Sequence, residues 1–458
     1  MYQSIQELRN ALAGRVRIRR EGIDMLEGVT FQERLVDALV YNAVFNPDQN
    51  IKTVCKWILW EAGLELGIYS ASIQELYEAK AKGEYPHMTV PAINIRGLTY
   101  DVARALIRAA KYSRAGAFIF EITQSEMEYT AQAPDEYATV VISAAIREGY
   151  QGPVFIQGDH FQINRERYYK QPTAELNTFK KLLRECISAG FYNMDIDTST
   201  LVDTNKSTVR EQQRPNFELT GLFVSYIRSI EPHGITVAIG GEIGDISEKN
   251  TTEEELRAYM HGLNEEIESG LKGIIKITVQ TGAMHSGVPL SDGSIAQIKL
   301  DFDTLRKLSE IAIEEFKLAG GVQYGASTLP IDAFNKFPDA NAAEVHLSTQ
   351  IQNIIYDMYP ISLKDEIYAY LKKEFGNELR KRETEEQFIY RIREKGFGPF
   401  KERIWSLPAA VKEAIRNKLE EKFKLIFDKL RVVDTWDMVK KQTKPVYIHK
   451  PIPDILIS

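Results

Sequence analysis

Between residues 88 and 360, short β-rich runs alternate with amphipathic stretches, and the alternation can be counted. Strand-like runs fall at residues 88–95, 117–122, 153–157, 193–197, 235–239, 273–279, 321–324 and 344–347. In the segment between the third and fourth runs, Leu176, Phe179, Leu182, Leu183, Cys186 and Ile187 form one apolar stripe that Gly190 closes. A second helix is expected from Thr251, with Glu254 at the capping-box position, to just before Gly270. A third runs from about Phe302 to Leu318. Regular β/α alternation demands parallel strands joined by helical crossovers. Eight such units favour a closed (β/α)8 barrel, with an open doubly wound sheet as the alternative because periodicity does not show closure.

Both flanks read mainly as helix. Apolar runs at 35–45 and 54–66 are separated by the turn signal Asn46-Pro47-Asp48, and Val411, Ile415, Leu419, Phe423, Ile426 and Leu430 line one face of a charged stretch from 406 to 432. That face packs on a partner helix, on the barrel wall or on a second subunit. Pro445, Pro451 and Pro453 mark an extended tail. The expected organisation is a helical N-terminal extension over residues 1–71, a (β/α)8 TIM barrel over 72–360, and a helical C-terminal extension with an extended tail over 361–458.

Composition narrows the function without naming it. The chain has 458 residues and a formal charge of −7, with no block of like charges, which argues against nucleic acid or an anionic membrane as the main partner. No run approaches the ~20 apolar residues that cross a bilayer, and the chain starts without the apolar core of a signal peptide. Cys55 and Cys186 are the only cysteines and lie in apolar or helical runs, so no disulfide framework is expected and a cytoplasmic location is.

In a barrel of this kind, reactive side chains project from the carboxyl ends of the strands. The polar residues there are Asn94, Asp159, His160, Asp197, Glu242, His285, Tyr324 to Ser327, and His346, Ser348 and Thr349. Three of the seven histidines therefore fall on one rim, and together with the carboxylates they make a candidate divalent-metal site. His87, His233, His261 and His449 fall elsewhere and read as structural. Small residues and hydroxyls cluster at 282–287, 325–328 and 348–349, where freed backbone amides can hold an oxyanion.

Five motifs, in order, resemble the class II, metal-dependent ketose-bisphosphate aldolases over about residues 72–360. VPAINIRGLTYDVARALIRAA is similar to the family's first strand and helix, PVFIQGDHF to its Asp-His signature, and AGFYNMDIDTS to its Gly-Phe…Asp-x-Ser segment. GGEIGDI resembles the Glu-x-Gly segment, and TGAMHSGV followed by KLDFDTL the metal-histidine loop and its helix. Any one of these is weak; their shared order and spacing is specific.

The resemblance implies retro-aldol cleavage of a phosphorylated ketose, a small-molecule sugar phosphate, by a homo-oligomer. A divalent ion, zinc first and cobalt or manganese next, would act as Lewis acid and stabilise the enediolate. It also implies that Asp159 is the general acid/base, that His160 and His285 hold the metal, and that Asn94 positions substrate. Gly287, Gly325, Ser327, Ser348 and Thr349 would cradle phosphate, and Glu248 would exchange the proton on the three-carbon product.

The departures are specific. Gln157 stands where the family usually has a further histidine, and Tyr324 stands where a histidine completes the metal site. Glu242 and His346 are the two candidates to replace that ligand, His346 occupying the family's usual asparagine position. The family's Lys-x-Asn-x-x-Thr-Asp at the eighth strand becomes Glu344-Val-His-Leu-Ser-Thr-Gln350, which puts recognition of a second phosphate in doubt. Two further readings use the same residues differently: a C4 epimerase of a ketose, ketose phosphate or ketouronate, and a non-catalytic subunit of an aldolase.

Overall fold

The computed structural model describes residues 1–85, 87–244, 249–282, 300–381 and 383–457. The eight expected runs form β1 (Val90–Asn94), β2 (Ile119–Thr123), β3 (Gly152–Gln162), β4 (Asn193–Asp197), β5 (Ala238–Glu242), β6 (Lys276–Thr278), β7 (Gly321–Gln323) and β8 (Glu344–Leu347). Each pairs in parallel with the next, and β8 pairs back to β1 through His346 opposite Ala92, so the sheet closes into a (β/α)8 barrel. Nearly every strand position is buried, as expected where helices cover one face and the barrel interior fills the other.

The connecting helices follow the apolar stripes. Pro172–Ala189 buries Phe179, Leu183, Cys186 and Ile187 and ends at Gly190 with φ +107°, where a Cβ would also meet the Trp60 ring at 2.4 Å. Glycine is required there on both counts. Glu253–Glu266 starts one residue later than the pattern suggests: the reciprocal capping box joins Thr252 and Glu255, not Thr251 and Glu254.

The N-terminal extension is not purely helical. Beside Val36–Phe45 and Gln49–Glu65 it contains an antiparallel pair, Val16–Ile18 with Ile23–Met25, and a strand, Ile68–Ala71. That strand pairs in parallel with the first half of β3, and β4 takes over from Gln157 onward. The Asn193 side chain ties the two together, donating to Ala71 O at 3.1 Å and accepting from Ile73 N at 2.8 Å. The helix Gln74–Ala81 follows, and its Tyr77 reaches Glu344 at the amino end of β8, so this helix covers the barrel floor.

The long C-terminal helix Ala409–Lys429 buries Ile415, Leu419, Phe423, Ile426 and Phe427 against the first barrel helix, Thr99–Ser113. Of the three surfaces it could cover, it takes the barrel's own wall. The tail runs without regular structure over 444–453 and finishes in the short helix Asp454–Ile457. It is fastened to the N-terminal extension: Trp57 and Trp60 donate to Lys450 O (3.0 Å) and Ile448 O (2.9 Å), and buried Glu61 accepts from Lys450 N at 2.8 Å and contacts His449 at 2.6 Å. Cys55 and Cys186 are buried free thiols, and no helix among the described residues is long and apolar enough to cross a membrane.

Candidate metal centre and active site

Side chains two apart on a strand share a face, so each strand delivers a lower and an upper residue to the barrel interior. On β4 these are Asp195 and Asp197, on β5 Gly240 and Glu242, on β8 Glu344 and His346, and on β3 Gln157 and Asp159. Glu121 enters from β2 and Lys276 from β6. All the ionisable residues in this set are almost fully buried. Gly240 provides the space, because a Cβ on it would lie 2.2 Å from Asp195 Oδ1 and 2.9 Å from Lys276 Cε.

β3 breaks the alternation once. Gly158 pairs with Met194 and Phe161 with Ile196, so Asp159 and His160 together oppose the single residue Asp195. This bulge holds His160 at φ +42°, a left-handed conformation uncommon outside glycine, and turns both side chains toward the mouth. Strained backbone of this kind concentrates at functional sites.

In the upper tier, His160 Nδ1 lies 2.8 Å from Glu242 Oε2 and 4.0 Å from Asp197 Oδ2, and its Nε2 lies 3.7 Å from Asp159 Oδ1. Asp197 is fixed by Gln162 Nε2 (2.6 Å) and by Ser199 N (3.0 Å) and Oγ (2.6 Å). Burial and the neighbouring Asp197 charge push the Glu242 carboxyl up to about 7. Burial would also raise Asp159, but His160 and His346 outweigh it and hold Asp159 below the usual carboxylate range. For His160 the facing Asp159 and Glu242 carboxylates overcome burial and raise the imidazole. The Tyr324 ring is buried and packs edge-on against His160, with centroids 5.2 Å apart, so the phenol stands beside the site.

The lower tier carries its own cation. Lys276 Nζ donates to Glu344 Oε1 (2.6 Å) and Gln157 Oε1 (2.7 Å) and lies 2.9 Å from Asp195 Oδ1. Gln157 Nε2 bridges Glu344 Oε1 (2.7 Å) and Glu121 Oε2 (3.1 Å), and Tyr77 OH donates to Glu344 Oε2 at 2.5 Å. Glu344 is thereby held at about 2 against the opposing effect of burial, with Lys276 the largest stabilising influence. Glu121 is pushed well above the usual range by burial and then by Asp159. His346 joins the tiers, 3.0 Å from Asp159 Oδ1 through Nδ1 and 2.8 Å from Glu344 Oε1 through Nε2.

The residues present fit a divalent cation. Six described carboxyl groups (Glu121, Asp159, Asp195, Asp197, Glu242 and Glu344) face one ammonium and two imidazoles, so carboxyls outnumber cationic groups two to one even with both imidazoles protonated. Buried charge of one sign needs a counter-charge or a proton, and raised carboxyls are its signature. His160, Asp197 and Glu242 present one nitrogen and two oxygens within 4.8 Å of one another, a donor set suited to zinc or a similar ion.

The remaining expected site residues divide. Asn94, at the end of β1, donates to Glu126 Oε2 (2.7 Å) and accepts from Arg96 Nε (3.3 Å), and Arg96 in turn holds Glu394 of the C-terminal extension at 2.6 Å. Gly325 has φ +72°, and the Ser327 hydroxyl accepts from the Ser348 amide at 2.9 Å, so these loops meet, and the amide expected to face an anion has a protein partner. Thr349 is the half-buried first residue of the helix Thr349–Asp357. Glu248, His285 and Gly287 lie outside the described residues.

A cleft of about 600 Å³ opens above the upper tier, lined by His160, Glu242, Asp197, Gln162, Ser199 and Arg167, among others. Sequence reasoning passed over Glu121, Asp195, Lys276 and Gln162. The signal that could have found the lower tier is the ionisable residue two positions before a rim residue, as in Asp195-x-Asp197 and Glu344-x-His346.

A family model described as fructose-bisphosphate aldolase class-II matches residues 72–428. Among solved structures, a protein of Sinorhizobium meliloti described as a probable tagatose 6 phosphate kinase is 13% identical with a TM-score of 0.51, the match covering 77% of this chain and 98% of that one. The fructose-bisphosphate aldolase of Campylobacter jejuni is 15% identical with a TM-score of 0.47, covering 80% and 98%. A fructuronate-tagaturonate epimerase of Cohnella laeviribosi is 12% identical with a TM-score of 0.49, covering 84% and 86%. No curated protein matches the chain.

Proposed function

The chain belongs to the class-II fructose-bisphosphate aldolase family, and from this premise we propose that it is a metal-dependent aldolase that reversibly cleaves a phosphorylated ketose. The observation that carries the proposal is the β3 bulge, which aims Asp159 and His160 into one mouth beside Glu242.

His160 and Glu242, with Asp197 in reach, would hold the ion, joined by His285 as the resemblance implies. Once bound, the ion supplies Lewis-acid polarisation of the substrate carbonyl. Asp159, ionised between two imidazoles, takes the proton from the hydroxyl on the carbon of the breaking bond that becomes the aldehyde, and returns it in the aldol direction. Gln162, Ser199 and Arg167 line the cleft in which the remaining hydroxyls and the anionic end of the sugar lie. Glu248 would exchange the proton on the three-carbon product.

One observation favours a variant of this chemistry. The Ser327–Ser348 bond satisfies an amide that would otherwise turn to a phosphate, so a substrate with one phosphate or none suits this rim better than a bisphosphate. Re-addition of the cleaved aldehyde by its other face would then give the C4 epimer of a ketose, ketose phosphate or ketouronate.

The test is product analysis with fructose and tagatose, each as the 1,6-bisphosphate and as the 6-phosphate, in the presence of zinc, cobalt or manganese. Release of triose phosphate supports the aldolase. No triose phosphate from either sugar contradicts it, and interconversion of C4 epimers without release selects the second reading.

A further inference from the structure

The residue at 346 departs from the family pattern, and its surroundings differ from those of a metal ligand. Alternation along β8 turns Glu344 and His346 to the same interior face. Both imidazole nitrogens are engaged by carboxylates, Nε2 by Glu344 at 2.8 Å and Nδ1 by Asp159 at 3.0 Å, with Glu121 Oε2 at 3.4 Å from Nδ1. Only a ring carrying both protons satisfies two carboxylates as a donor at each end. To ligate a metal, His346 would have to give up one of these bonds.

Glu344 is a fixed anchor. Its Oε2 accepts from Tyr77 OH at 2.5 Å, and its Oε1 accepts from Lys276 Nζ at 2.6 Å and Gln157 Nε2 at 2.7 Å as well as facing His346. A continuous line of buried hydrogen bonds therefore runs from the floor helix through Tyr77, Glu344 and His346 to Asp159 at the mouth. An asparagine at 346, with a single short amide, cannot bridge two carboxylates on opposite sides.

We propose that His346 is a positioning residue: braced by Glu344, it fixes the Asp159 carboxylate by one oxygen and leaves the other for the substrate hydroxyl. The inference rests on reading Asp159 as the acid/base. Misplacing a reacting group by about 1 Å costs roughly 10²-fold in rate, so loosening this brace should lower turnover without weakening substrate or metal binding.

The experiment compares His346→Asn and His346→Gln, each alone and combined with Asp159→Asn, in the zinc-loaded full-length enzyme. Triose phosphate release, zinc affinity and stoichiometry are measured, together with long-range 1H–15N imidazole spectra of histidine-labelled protein without metal. The expected result for His346→Asn is a loss of kcat of roughly 10²-fold with KM and zinc affinity unchanged. The longer amide of His346→Gln should restore part of it, and neither should add to the loss in Asp159→Asn. In the spectra, Asp159→Asn should shift the His346 Nδ1 signal and leave Nε2 in place. Independent losses in the double variants, or weaker zinc binding on changing His346, would overturn the proposal. If the unaltered enzyme releases no triose phosphate, the aldolase reading falls by itself, and the spectra still decide: an Nδ1 signal unmoved by Asp159→Asn overturns the His346–Asp159 link. Should the His346 variants fail to fold, the same spectral comparison carries the decision.

Discussion

The two tiers of the barrel interior are built from the same residue types and solve the same electrostatic problem differently. In the lower tier Glu344, Asp195 and Gln157 surround Lys276, a cation that the chain itself supplies. In the upper tier, among the described residues, Asp197 and Glu242 have only His160 as a cationic group between them, and they open onto the cleft. The enclosed tier is a structural element, and the open one is suited to take up an external cation. The same contrast separates two buried lysines. Lys276 is raised above its ordinary range because Asp195 and Glu344 outweigh its burial, whereas burial pushes Lys80, on the floor helix, down to about 8.

The largest expected effect sharpens the role of the upper tier. Asp159→Asn should lower kcat by about 10²–10⁴-fold, the usual range for loss of a general acid/base, while full zinc stoichiometry is retained. Loss of zinc in the same variant would make Asp159 a ligand. Next comes the lower tier: Lys276→Met leaves Glu344 and Asp195 buried without their cation and should cost about 3–5 kcal/mol in urea unfolding. A cost below 1 kcal/mol would mean that the pair contributes no more than a surface ion pair.

Lys80 gives the pH test. Its folded-state value lies below that of the unfolded chain, so between pH 8 and 10.5 the unfolded state holds more protons and stability should rise with pH, with the full penalty below pH 8. Lys80→Met should therefore stabilise the protein at pH 7 by roughly 3 kcal/mol and flatten that rise; an unchanged slope between pH 8 and 10.5 would place the charge elsewhere. Glu242→Gln carries the smallest effect on the fold: zinc affinity should fall by more than the roughly 10–100-fold that loss of a residue merely supporting a ligand costs, read by calorimetry, with the unfolding midpoint of the metal-free protein nearly unchanged.

Much of the barrel was readable from the chain because short β-rich runs alternate regularly with helical apolar stripes. Asn193–Asp197 and Glu344–Leu347 begin and end where the pattern places them. β5 does not: the apolar run at 235–239 suggests an earlier strand than Ala238–Glu242, because the pairing continues through Gly240 and Gly241, which interior crowding demands and hydrophobicity does not register. The rim residues Asp159, His160, Glu242 and His346 were found by position after a strand. Their mutual arrangement was not, since a bulge and a left-handed histidine leave no periodic trace. The lower tier escaped for a more basic reason: a pattern that equates interior with apolar cannot place a lysine and three carboxylates inside a barrel, and Lys276 is tolerated there only through partners from three other strands. That Tyr324 lies against the His160 ring likewise follows from tertiary packing alone.

Anomalous scattering from crystals of the zinc-loaded protein tests the contrast between the tiers most directly. The account predicts one strong peak per chain in contact with His160 and Glu242 and none within coordination distance of Lys276, Glu344 or Glu121. A peak in the lower tier, or none in the upper tier at full zinc loading, would contradict it.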